Sequence, residues 1–140
     1  MRLVVLLVLS VLARPAYAGP EILDGRDAVI LDGDTIAFGS ERIRIVGIEA
    51  PGISEPHCAR EEIFALRSRQ RLAELVRSGP VRIERTGQDE LGRTLARLFI
   101  SDGRNVADIL VAEDLALPWR EGAEARETRE RHWCHEEKPG

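Results

Sequence analysis

The strongest constraint on this chain is the order in which its hydrophobic period changes. Residues 28–48 alternate with the period of strands, residues 60–77 follow the period of a helix, and residues 81–100 return to strands. Short strands are expected at Ala28–Leu31, Thr35–Phe38, Arg42–Ile48, Val81–Arg85 and Thr94–Ile100. In the third, Ile43 and Ile45 alternate with Arg42 and Arg44, so one face is apolar and the other charged. Gly39-Ser40-Glu41 has a length suited to a hairpin, and Ala50-Pro51-Gly52 stops further pairing. Between Arg60 and Arg77, Phe64, Leu72, Leu75 and Val76 gather near one helical face, closed by Ser78-Gly79-Pro80. Asn105 can cap a short helix from Val106 to Glu113, and Glu121–Gly140 reads as a charged surface helix or tail. The order fits a mainly β fold with helices: a five-stranded Greek-key barrel of the OB type, capped by an α-helix and followed by C-terminal helices.

The first eighteen residues stand apart from that pattern. Arg2 precedes the apolar run Leu3 to Ala13, and Ala16-Tyr17-Ala18 supplies an A-x-A cleavage site. The run is shorter than the roughly 20 residues a membrane-spanning helix needs, so it reads as a signal peptide (residues 1–18). Residues 19–140 then form one exported domain, periplasmic or secreted, with no stable membrane association after cleavage. Monomer is the default for a small barrel. Cleavage removes Arg2 and Arg14 but no acid, which moves the formal charge from −4 to −6. That acidity disfavours loose binding to polyanions without excluding a local basic cleft.

Cys58 and Cys134 are an even count in an oxidising compartment and read as one disulfide tying the C-terminal tail to the middle of the chain. A metal site shared with His57, His132 and His135 is the competing arrangement, although the two Cys-His clusters lack the usual zinc spacing.

The chemistry is concentrated between Leu31 and Pro51. Asp32 and Asp34 flank Gly33 at a strand turn, and Arg44 and Glu49 lie on the returning strand. A hairpin can therefore gather carboxylate oxygens beside a guanidinium, as a hard metal ion next to a phosphate requires. The same residues also suit a plain Asp-Gly turn and a wet strand face.

Three ordered blocks narrow the choice: Leu31-Asp32-Gly33-Asp34-Thr35, Ile43 to Pro51, and Asp89-Glu90-Leu91-Gly92-Arg93-Thr94-Leu95-Ala96. With Gly103 to Ala107 and Leu115-Ala116 they resemble the staphylococcal nuclease (thermonuclease) family over most of the mature chain. The resemblance implies a calcium-dependent phosphodiesterase that cuts DNA or RNA with little sequence preference. It implies Asp34 and Glu49 as metal carboxylates, the Ala50 carbonyl as a further ligand and Asp32 as support. Arg44 and Arg93 match the phosphate-binding arginines, and Trp119 falls near base-stacking tyrosines. Two positions depart from the pattern. Leu91 replaces a tyrosine, and Gly52 stands where the family places its general-base glutamate. Glu55, three residues on, is the candidate replacement. Without a base, the alternative is an inactive module that binds nucleotides or nucleic-acid ends.

Overall fold

The computed structural model describes residues 19–135; the expected signal peptide, residues 1–18, lies outside the described residues. Six strands form one curled sheet. They are β1 (Glu21–Asp24), β2 (Val29–Asp32), β3 (Thr35–Phe38), β4 (Glu41–Ile45), β6 (Pro80–Gln88) and β7 (Thr94–Phe99), with β5 (Ile48–Glu49) and β8 (Leu117–Pro118) pairing separately. The sheet runs β1-β6-β7-β4-β3-β2, antiparallel except for the parallel β4–β7 pair. Its two edge strands, β1 and β2, are consecutive in the chain and are separated by a single 3-10 turn, Gly25–Asp27. The first stretch of chain therefore pairs with β6 at its start and with β3 at its end. The sheet curls into the expected OB-type barrel shape because the covalent chain joins its two edges.

The expected first strand, Ala28–Leu31, is the second half of that stretch. Its first half passes unnoticed in the sequence because only Ile22 and Leu23 are apolar. The expected third strand is broken at Val46-Gly47, where Gly47 takes φ 83°, a left-handed conformation that side chains other than glycine's resist. Beyond the break, β5 turns away to pair with β8. The break carries Glu49 out of the six-stranded sheet.

Helix α1 (Ala59–Arg77) buries Ala65, Ser68, Leu72, Leu75 and Val76 against β2 and β6 and so caps the barrel. Helix α2 (Val106–Ala112) begins where the Asn105 side chain accepts from the Ala107 N–H at 2.9 Å. Helix α3 (Ala123–Cys134) replaces the undecided tail. Its single buried side chain is Trp133, 1% exposed, whose ring lies 5.2 Å from that of Phe64 on α1. Ile36, Ile43, Ile45, Val81, Ile83, Leu98, Val106 and Leu110 fill the barrel.

Across the barrel wall, Glu41 of β4 accepts from Arg85 of β6 at 2.7 and 2.8 Å and from the Thr94 hydroxyl of β7 at 2.9 Å. Arg85 also meets Glu21 of β1 at 2.8 Å. The Arg85 hydrogen bonds hold the Glu41 carboxyl below its ordinary pKa. A carboxyl with a lowered folded pKa adds stability above its unfolded pKa and loses it as pH falls through the folded one. Glu41→Gln is therefore expected to lose about 1–2 kcal/mol at pH 7. In urea titrations, that deficit should shrink as the pH drops from about 5 towards 3; a deficit that stays constant with pH would assign it to packing rather than charge.

Candidate metal and phosphate cleft

The tight turn between β2 and β3 can form only with glycine at its centre. A Cβ on Gly33 would run into Ser68 Oγ of α1 and lie 2.7 Å from the Ala50 Cβ. Glycine thus lets the turn press against both the helix and the loop after β5. That contact brings Asp34 and Ala50 together: the Ala50 N–H donates to Asp34 Oδ2 at 3.0 Å. The Thr35 hydroxyl donates to Asp34 Oδ1 at 2.8 Å, and Arg44 Nη1 meets Oδ2 at 2.9 Å. Thr35 and Arg44 face one another in the β3–β4 register, which is why the guanidinium reaches this carboxylate.

Asp34 is only 4% exposed. Asp32 is half-buried beside it, its Oδ1 accepting from the Gly33 N–H at 2.9 Å. Burial pushes the Asp32 carboxyl above its ordinary pKa, and the Asp34 charge acts in the same direction. A carboxyl held above its ordinary pKa by burial and by a neighbouring carboxylate is an electrostatic condition that a hard cation relieves.

Glu49 approaches from β5, with Oε2 at 3.1 Å from Arg129 Nη1 on α3. Arg93 approaches from the β6–β7 loop. There the Asp89 carboxylate accepts from the Leu91 and Arg93 N–H groups at 3.0 and 2.9 Å and from Arg93 Nε at 2.6 Å. Asp32, Asp34, Arg44, Glu49, Ala50, Gly52, Glu55 and Arg93 all line one cleft of about 380 Å³. Trp119 does not. It is 48% exposed and lines an adjoining hollow that shares Arg44 and Arg93 with the cleft, where its backbone N–H donates to the Gly47 carbonyl at 3.0 Å.

Cys58 and Cys134 are bonded, with their Cα atoms 5.8 Å apart. That pairing leaves neither sulfur as a thiolate ligand for the alternative metal site. His57 pairs through Nδ1 with Glu61 at 2.9 Å and through Nε2 with Glu130 at 3.3 Å. His132 meets Asp114 at 2.8 Å. The Glu61 hydrogen bond raises the His57 pKa, with the Glu61 and Glu130 charges adding to it.

The cleft also contains residues that their sequence pattern assigns to solvated faces. Glu61, outside the apolar face expected for its helix, is buried in the cleft wall, and α3 contributes Arg126, Arg129, Glu130 and Trp133. The signal that could find them is the expected disulfide itself. Cys58 lies only a few residues beyond the Pro51 loop, so whatever precedes Cys134 on its helix is carried to the same side of the barrel.

Residues 42–138 match the model of a family described as staphylococcal nuclease homologue. Protein ParB of Escherichia coli is 31% identical over 126 residues, covering 81% of this chain and 66% of its own length. Succinoglycan biosynthesis protein ExoI of Rhizobium meliloti (strain 1021) is 32% identical over 99 residues, covering 64% of this chain and 49% of its own. The chain thus spans about two thirds of the length of the first of these curated relatives and about half of the second.

The donor set is all oxygen and suits calcium or a similarly hard cation. Calcium binding measured by isothermal titration is expected to weaken more than about tenfold in Asp34→Asn, because ligand charge sets affinity in such sites. Equal affinity in the variant would remove Asp34 from the metal site.

Proposed function

Because the chain belongs to the staphylococcal nuclease homologue family, we propose that it is a calcium-dependent phosphodiesterase, endonuclease-like, hydrolysing DNA or RNA with little sequence preference. The observation that carries this reading is the convergence of Asp34, Glu49, Arg44 and Arg93 on one cleft from four separate segments. A plain turn with decorated strand faces has no reason to bring the β6–β7 loop there.

Asp34, Glu49 and the Ala50 carbonyl would hold calcium, with Asp32 in support. When bound, the ion neutralises charge on the phosphate oxygens. Arg44 enters the cleft already oriented by Asp34, and Arg93 by Asp89, so neither guanidinium must be ordered when substrate arrives. The Arg93 Nε is taken by Asp89, and its Nη groups are left to face a phosphate. Planar, permanently charged forks suit the oxygens of a five-coordinate phosphorus, which gathers charge in the transition state.

Glu55 takes the part of the base. It lines the cleft on the same loop as Gly52, is exposed, and forms no ion pair among the described residues. His57 is a poorer candidate. Its two carboxylate neighbours favour the protonated imidazolium, which cannot accept a proton. In this reading residues 1–18 direct export and are removed after Ala18, and residues 19–140 act as a monomeric domain outside the cytoplasm. Among the described residues no helix is long and apolar enough to cross a membrane.

One observation favours a second reading, a module that binds nucleotides or nucleic-acid ends without cutting. A Cβ on Gly52 would meet nothing within 4 Å, so neither space nor backbone geometry demands glycine there. The base position is simply empty of a carboxylate.

Digestion of single-stranded DNA by oxidised protein, with calcium and with EDTA, separates the two. The enzyme reading expects calcium-dependent cutting that falls roughly 100-fold or more in Glu55→Gln. Arg44→Lys and Arg93→Lys should each lose about 100-fold. No cutting by the natural protein, with cutting restored in Gly52→Glu, would establish the binding module instead.

A further inference from the structure

Helix α3 turns one face to the cleft. Arg126, Arg129, Glu130 and Trp133 line it, at spacings of three, four and seven residues that place them on one side of a helix. Trp133 anchors that face in the core, and the Cys58–Cys134 bond fixes its C-terminal end to the loop before α1. The cationic groups are thereby held where the metal and phosphate residues converge. Arg129 reaches Glu49 at 3.1 Å. Arg126 is exposed and forms no ion pair among the described residues. The one carboxylate on the same face, Glu130, is engaged by His57 at 3.3 Å.

Arg126 and Arg129 thus add two cationic groups to a cleft that also holds the carboxylates of Asp32, Asp34, Glu49 and Glu55. Several other arginines are matched locally, Arg26 by Asp24, Arg71 by Glu74 and Glu113, Arg104 by Asp102, whereas Arg126 lines the cleft without a counter-charge among the described residues. An unmatched arginine, with a second one turn away beside a metal carboxylate, is a site for an anion.

We propose that Arg126 and Arg129 form a second phosphate subsite, which holds a backbone phosphate next to the scissile one in a single-stranded polynucleotide. This deepens the phosphodiesterase reading and rests on it for the identity of the neighbouring phosphate. The subsite makes the preferred substrate a polymer rather than an isolated diester, because a ligand with one phosphate can use only one of the two positions. When Glu49 turns to a cation, its hold on Arg129 is weakened and the guanidinium is released towards substrate. Metal and polynucleotide binding should therefore favour one another.

The test uses oxidised protein, calcium, and a fluorescein-labelled, hydrolysis-resistant phosphorothioate DNA decamer, with affinity followed by anisotropy over a range of salt concentrations. Arg126→Gln and Arg129→Gln are each expected to weaken binding about tenfold and to reduce the slope of log K against log salt by about 0.7. Arg131→Gln makes the same charge change on a part of α3 outside the cleft and should leave both within about twofold. Arg126 has no ion pair to lose, so its variant reports on the ligand rather than on folding. Equal losses in all three variants would reduce the effect to long-range charge and overturn the subsite, as would no loss in Arg126→Gln and Arg129→Gln. Digestion of the unmodified decamer runs alongside. Binding losses as expected without cutting would sink the hydrolase reading and keep the subsite; cutting with normal binding by both variants would do the reverse.

Discussion

Asp34 accepts from a hydroxyl, a backbone N–H and a guanidinium at once while almost wholly buried. A carboxylate taken out of water is tolerated only when its charge and lone pairs are answered. Each answer here comes from a different piece of chain: Thr35 opens β3, Arg44 lies on β4, and Ala50 follows β5. The ionised group therefore specifies how three segments sit together, and the cleft is what they enclose. Replacing it would leave Arg44 without its counter-charge and the Ala50 loop without its anchor. The same carboxylate is proposed as the leading metal ligand, so geometry for folding and geometry for chemistry are set by one group.

Close approach is the second requirement, and two glycines meet it. Gly33 lets the turn touch α1 and the Ala50 loop. Gly25 lets the 3-10 turn between β1 and β2 lie against the end of α1, where its N–H donates to the Gly79 carbonyl at 3.1 Å and a Cβ would fall 2.7 Å from that same oxygen. One glycine positions the acids and the other joins the two edges of the curled sheet. Gly52, which requires no such approach, differs in kind. A side chain there would meet nothing within 4 Å.

The strands and long helix are legible in the sequence because alternation and helical periodicity are produced by burial itself. Ile43 and Ile45 are buried, with Arg42 and Arg44 more exposed between them. Arg44, Asp34, Glu49 and Arg93 can be named because they sit in ordered blocks. Less is legible where two or three residues decide an element. β5 and β8 are two residues each, too short to carry a period, and β1 offers only Ile22 and Leu23. α3 is hardest. A helix with one buried residue has no apolar stripe to announce which way it faces, and its arginines look like solvated charge until the partner of Cys134 is known. Glu61 escapes for a related reason: helical position suggests water, whereas the His57 side chain and backbone N–H supply it with partners inside the fold.

The disulfide bears on the cleft more than on the barrel. Closing a loop of this length stabilises a fold by about 3–5 kcal/mol in the loop-entropy view, but the barrel already has its own apolar core. Helix α3 has little else. Its first residue follows Gly122 with no side-chain cap, its one buried anchor is Trp133, and its remaining ties are surface ion pairs of small individual worth. Without the bond, α3 would rest on a single indole and on its ion pairs with Glu49, His57 and Asp114. The covalent link therefore decides whether Arg126 and Arg129 form a wall of the cleft or an untethered basic segment. That dependence also makes the site sensitive to the redox state of its surroundings. A reducing environment would leave the barrel and the Asp34 cluster in place while releasing the side of the cleft opposite them.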